Sequence, residues 1–93
     1  MGRRCTGLRQ KMFSQGDQKI RLLEFSDNFH EAGWCRSGHA GFVLEGKISI
    51  RFAEEEITFE TGDGLFIPPG DATRHRAGTV KGEHATLILF ENI

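Results

Sequence analysis

The sequence predicts an all-β domain, a small antiparallel barrel or sandwich, on three observations. Seven short apolar or alternating segments follow one another between residues 19 and 92. Clusters of Gly, Asp, Asn or Glu separate them, as turns require. No apolar i, i+3, i+4 spacing persists long enough to make a helix. At 93 residues the chain has room for one core, because a domain of this size buries somewhat more than about 60% of its unfolded surface.

Taken in order, residues 1–17 are polar and basic, with Arg3, Arg4, Arg9 and Lys11 and only Leu8, Met12 and Phe13 as anchors. They read as an N-terminal arm ahead of a barrel domain over residues 18–93. The strand segments are then KIRLLEF (19–25), AGFVLEG (40–46), KISIRFA (47–53), EITFE (56–60), GLFIP (64–68), TRHRA (73–77) and HATLILFEN (84–92). Their β-branched and aromatic content suits a pleated, half-buried surface. In KISIRF the period of two sets Ile48, Ile50 and Phe52 on one face and Lys47, Ser49 and Arg51 on the other. The acidic run AEEEI is a solvated turn that discourages edge pairing. Pro68-Pro69-Gly70 is a rigid bend. The interior is expected to hold Phe42 or Val43, then Ile48, Ile50, Ile57, Phe59, Leu65, Ile67 and the alternating apolar residues of the last segment.

Charge and cysteine usage narrow the function classes. With 12 Lys plus Arg against 13 Asp plus Glu, there is no basic footprint for nucleic acid. Cys5 and Cys35 form neither a CxxC pair nor a disulfide framework, so a cytoplasmic setting is expected. The basic N-terminus is not followed by an apolar h-region, and 18 apolar residues never run together, so neither export by that route nor a membrane span is expected. TGDGLF lacks the spacing of a phosphate loop and leads into a strand, so no nucleotide cofactor is expected.

The turn residues carry a resemblance. Gly62, Pro68 and Gly70 fall at the intervals of the second motif of the cupin superfamily: G, five residues, P, one, G, two, H, three, N. The motif's histidine position holds Thr73 and its asparagine position Ala77, and His75 stands two residues late. The first motif reads G, five, H, one, H, three or four, E, six, G. With Gly46 as its closing glycine, its glutamate position holds His39, and its histidine positions hold Gly33 and Cys35, or Ala32 and Trp34. The likeness spans roughly residues 20–92 and implies a small jelly-roll β-barrel. The matching residues set backbone geometry, so they speak for fold more than for chemistry.

The resemblance implies a metal held inside the barrel, and His39, His75 and Cys35 are the side chains available for it. Imidazole and thiolate suit zinc, iron, nickel or copper and not magnesium or calcium. In a straight strand Cys35 and His39 would stand about 13 Å apart at roughly 3.3 Å per residue, so one ion requires a bend near Gly38. Thr73 and His75 share strand parity, which would turn both toward a ligand pocket. Trp34 lines the mouth of that pocket, plugs the barrel end or sits at a dimer interface; its flat ring and single N–H suit each role. His30 and His84 read as surface residues. Cys35 with His39 also offers a nucleophile and a base, but no third group to orient them and no oxyanion hole stands out.

Two functions follow. One is a cupin that binds a transition metal and a small molecule inside the barrel, with the metal-dependent isomerases and dioxygenases of the family as its model. The other is a metal-free, non-catalytic ligand-binding or sensory module, which the altered motifs favour. Small cupins pair as homodimers, and the apolar faces of KIRLLEF and TLILFEN offer material for that.

Overall fold

A computed structural model describes residues 7–27, 29–80 and 82–92. The strands are β1 (Leu8–Gln15), β2 (Gln18–Phe25), β3 (His39–Phe52), β4 (Glu56–Glu60), β5 (Gly64–Ile67), β6 (His75–Thr79) and β7 (Ala85–Asn92). A 3-10 turn, Asp71–Thr73, precedes β6. All strand pairs are antiparallel, and among the described residues no helix is long and apolar enough to cross a membrane.

β3 organises the molecule. Its first half, from His39, pairs with β5 on one side and β7 on the other. Its second half, from Lys47, pairs with β4 and β6. One long strand therefore belongs to two sheets: β1-β2-β7-β3-β5 and β6-β3-β4. The register slips between Val43 and Glu45, an irregularity that bends a strand where it passes from one sheet to the other. AGFVLEG and KISIRFA are thus one strand, running through Gly46 at a φ of +81°.

The core fills the space between the sheets. Val43, Ile48, Ile50, Leu65, Ile67, Leu87 and Leu89 are buried, each burial stabilising by about 1.5–3 kcal/mol. Val43 takes the inward position, and Phe42 lies on the outer face. Ile57 departs from expectation: it alternates correctly, but β4 is an edge strand and leaves it 38% exposed. Phe29 joins the core from the loop after β2. Its ring lies 4.7 Å from that of Phe25, its N–H donates to Thr79 Oγ1, and its carbonyl accepts from the Thr79 N–H.

The residues read as an arm divide in two. Leu8–Gln15 is a strand, paired in full with β2 across a Gly16-Asp17 turn. It is polar because, apart from its first residue, it is exposed. Residues 1–6, with Arg3, Arg4 and Cys5, lie outside the described residues.

Candidate metal centre

The stretch before β3 brings the site together. Residues 29–35 run beside β6: His30 bridges Gly78 and Cys35 bridges His75. Cys35 and His75 exchange both backbone hydrogen bonds, N to O at 2.7 and 2.9 Å. Residues paired in this way present their side chains on one face. The chain then turns back through Arg36 to Gly38: the Arg36 carbonyl accepts from the Gly70 N–H, and Gly38 packs against Pro69 so closely that a Cβ there would meet Pro69 Cδ at 2.9 Å. That bend replaces the extended path and brings Cys35 Sγ to 3.7 Å from His39 Nε2. His39 belongs to the larger sheet, opposite Ile67, and His75 to the smaller, opposite Phe52.

Cys35, His39 and His75 each offer a ligand atom, and these atoms lie within 4.8 Å of one another. The two imidazole centroids are 5.2 Å apart, edge to face. Tetrahedral coordination with metal–ligand bonds of about 2.0–2.3 Å separates donors by roughly 3.4–3.6 Å, so the thiol and His39 already stand at that spacing.

The hydrogen bonds fix both tautomers. His75 Nδ1 lies 2.9 Å from the Thr73 carbonyl, which can only accept, so Nδ1 carries the proton and Nε2 a lone pair. His75 is 2% exposed, and its Nε2 has no hydrogen-bond partner among the described residues. His39 Nδ1 lies 3.0 Å from Glu91 Oε2, and donates to it in the same way, leaving its own Nε2 lone pair toward Cys35. Burial lowers the pKa of His39, and the hydrogen bond to Glu91 only partly opposes this. Burial alone would raise that of Glu91, but the bond from His39 and the nearby Arg21 guanidinium hold it below the usual value. The pair is therefore a neutral imidazole donating to a carboxylate.

Glu91 escapes the sequence reading, although it shares the parity of Leu87 and Leu89 on β7. It also faces Lys19 at 3.5 Å and Arg21 at 3.0 Å, both from β2. It is the orienting third group for Cys35 and His39 that the sequence motifs do not name.

Behind the donors lies a cavity of about 810 Å³, lined by all three of them and walled by core residues such as Phe25, Phe29 and Ile48. Trp34 and Thr73 are not among its lining residues. The Trp34 ring carries the guanidinium of Arg76 at 4.5 Å and that of Arg74 at 5.4 Å. Thr73 belongs to the 3-10 turn, so strand parity does not apply to it, and its hydroxyl donates to the Pro68 carbonyl. His30 and His84 are exposed, the latter 3.5 Å from Glu45.

The comparisons with known proteins agree on the architecture. Residues 34–91 match the family described as Cupin domain. No curated protein matches the chain by sequence. Among solved structures, a cupin-2 domain containing protein from Shewanella frigidimarina superposes with a TM-score of 0.72 at 21% identity, over 91% of this chain and 80% of that one. A cupin superfamily protein from Desulfitobacterium hafniense gives 0.76 at 18% identity, over 100% and 84%. The polyketide cyclase RemF from Streptomyces resistomycificus gives 0.81 at 18% identity, over 95% and 66%. At such identities the likeness speaks for the fold alone.

Proposed function

The chain belongs to the cupin domain family, and from that premise we propose that it holds one divalent transition-metal ion on Cys35, His39 and His75, facing a cavity that takes a small molecule. His75 Nε2 carries this reading. It is a buried lone pair whose tautomer is fixed and which has no hydrogen-bond partner among the described residues. Leaving such a group unsatisfied costs about 1–3 kcal/mol, a cost that coordination removes. One sulfur and two imidazole nitrogens favour zinc, iron, nickel or copper and disfavour magnesium or calcium.

Such an ion would supply Lewis acidity toward a carbonyl, carboxylate or hydroxyl oxygen. The residues around it divide the remaining work. Glu91 holds His39 in the tautomer that ligates, the Thr73 carbonyl does the same for His75, and Arg21 keeps the Glu91 carboxylate in place. The apolar walls from Phe25, Phe29 and Ile48 favour a ligand with an apolar body and a polar end.

Elemental mass spectrometry of the untagged protein, beside His39→Ala and His75→Ala variants, tests the proposal. The expected result is near-stoichiometric zinc, iron, nickel or copper in the wild type and its loss in both variants. A wild type that is isolated metal-free and takes up none of these ions would overturn the metal site.

A further inference from the structure

The inner face of β2 changes character along its length. Lys19, Arg21, Leu23 and Phe25 share strand parity, and all line the cavity behind the metal donors. Leu23 and Phe25 belong to the core. The two cations at the other end are turned to the same side, with side chains only 29% and 22% exposed. Lysine and arginine are seldom so placed unless an opposite charge meets them, because burial strips water from the charge.

The chain supplies only part of that opposite charge. Among the described residues, Lys19 and Arg21 share one carboxylate, that of Glu91 across the β2–β7 pair. Arg21 is well held: its Nη1 donates to Glu91 Oε2 at 3.0 Å, and its Nε and Nη2 donate to Gln10 Oε1 at 3.3 and 3.2 Å. Lys19 Nζ is not. It stands 3.5 Å from Glu91 Oε1, beyond the usual hydrogen-bond range of about 2.7–3.2 Å. The other carboxylate of the cavity wall, Glu31, lies by the smaller sheet, where its Oε1 accepts from the Ala77 N–H. The β2 end of the cavity is therefore left with a surplus of positive charge, on an ammonium with N–H groups to spare.

We propose that this end of the cavity recognises the carboxylate of a small organic acid, with Lys19 donating to it and Arg21 adding to the attraction. Two cations against one carboxylate leave a single positive charge, which suits a carboxylate better than a phosphate dianion. The apolar body of the acid lies against Leu23 and Phe25. In the chain of contacts, Glu91 and the His39 ring stand between the cations and the thiol, so the carboxylate and the ion are separate anchor points. The inference rests on the reading of the cavity as a small-molecule site and does not require the ion.

Isothermal titration calorimetry with hydrocinnamate and hexanoate, each beside its uncharged amide, tests it on the wild type, on wild type stripped with a chelator and on Lys19→Met. Both wild-type preparations should bind the acids at least about tenfold more tightly than the amides, as a hydrogen bond to a charged group allows. Lys19→Met should abolish that preference while keeping the affinity for the amides, and Lys19→Arg, which retains the charge, should restore it. Equal affinity for acid and amide in the wild type would overturn the proposal while leaving the cavity as a ligand site. A preference that vanishes on stripping and survives in Lys19→Met would mean that the carboxylate binds the metal instead, and would overturn it as well. If none of these compounds binds, the inference and the reading of the cavity fall together.

Discussion

His39 and Glu91 share a hydrogen bond, Nδ1 to Oε2 at 3.0 Å, that joins the first residue of β3 to the end of β7. The bond selects which imidazole nitrogen is bare. Glu91→Ala removes the acceptor and lets the imidazole rotate and exchange tautomers. Zinc affinity, measured by competition with a chromophoric chelator, should fall by about 10–100-fold, the range for losing an outer partner of a ligating histidine. Glu91→Gln should fall less, because its amide oxygen still accepts from Nδ1. Equal affinity in wild type and Glu91→Ala would show that the carboxylate does not position the ring.

The same pair sets a pH dependence. Burial lowers the pKa of His39 below its ordinary 6.5 in the folded chain. Below that value the unfolded chain takes up a proton more readily than the folded one, so stability falls as pH drops through 6.5 toward the folded value. Glu91, held below its ordinary 4.5, acts in the same sense: its contribution is present above 4.5 and is lost as pH falls through its lower folded value. Urea midpoints for the metal-free protein should therefore be flat above neutrality and decline in two stages on acidification. In His39→Ala the first stage should disappear; if it persists unchanged, another group is responsible.

How much of this could be read from the residues depends on what positions each one. β4 lies where EITFE predicts it, because alternation between turns is a local signal. Gly46 follows Glu45 as a turn glycine would, yet β3 continues through it, since pairing with both sheets outweighs a local break. The polar strand β1 gives no apolar signal because its faces are mostly solvated. His39, His75 and Cys35 stand out by chemistry, and the bend near Gly38 that unites them is a condition the sequence imposes. Phe29 could not be placed in the core, because its burial comes from a non-periodic loop held to Thr79 across the fold. For Trp34 the sequence leaves pocket mouth, barrel plug and interface open; in the fold its ring lies beneath the guanidinium groups of Arg74 and Arg76.

The identity of the third donor can be tested directly, since Cys35 is partly exposed and its thiol stands beside His39 Nε2. Cobalt(II) loaded into the wild type should give a near-ultraviolet band from thiolate-to-metal charge transfer. In Cys35→Ser that band should vanish, and zinc affinity should drop by more than in either Glu91 variant, because a ligand is lost instead of its support. If Cys35→Ser keeps the wild-type cobalt spectrum, the thiol lies outside the coordination shell.

The stability of the two-sheet junction rests on Gly46. At a φ of +81°, it lies so near β7 that a Cβ would meet the His84 carbonyl oxygen at 1.8 Å. Gly46→Ala therefore adds a collision with a neighbouring strand's backbone to the conformational cost, and neither can relax without opening the β3–β7 ladder. The expected loss is on the order of 3 kcal/mol or more. At about 4–8 °C per kcal/mol for a domain of this size, thermal unfolding should shift down by more than about 12 °C. Gly62, at a φ of +92°, has nothing within 4 Å of its would-be Cβ, so Gly62→Ala bears only the conformational term, about 1–2 kcal/mol. Melting the two variants side by side separates strain from collision. Equal losses would mean that the approach of β7 to Gly46 contributes nothing beyond φ.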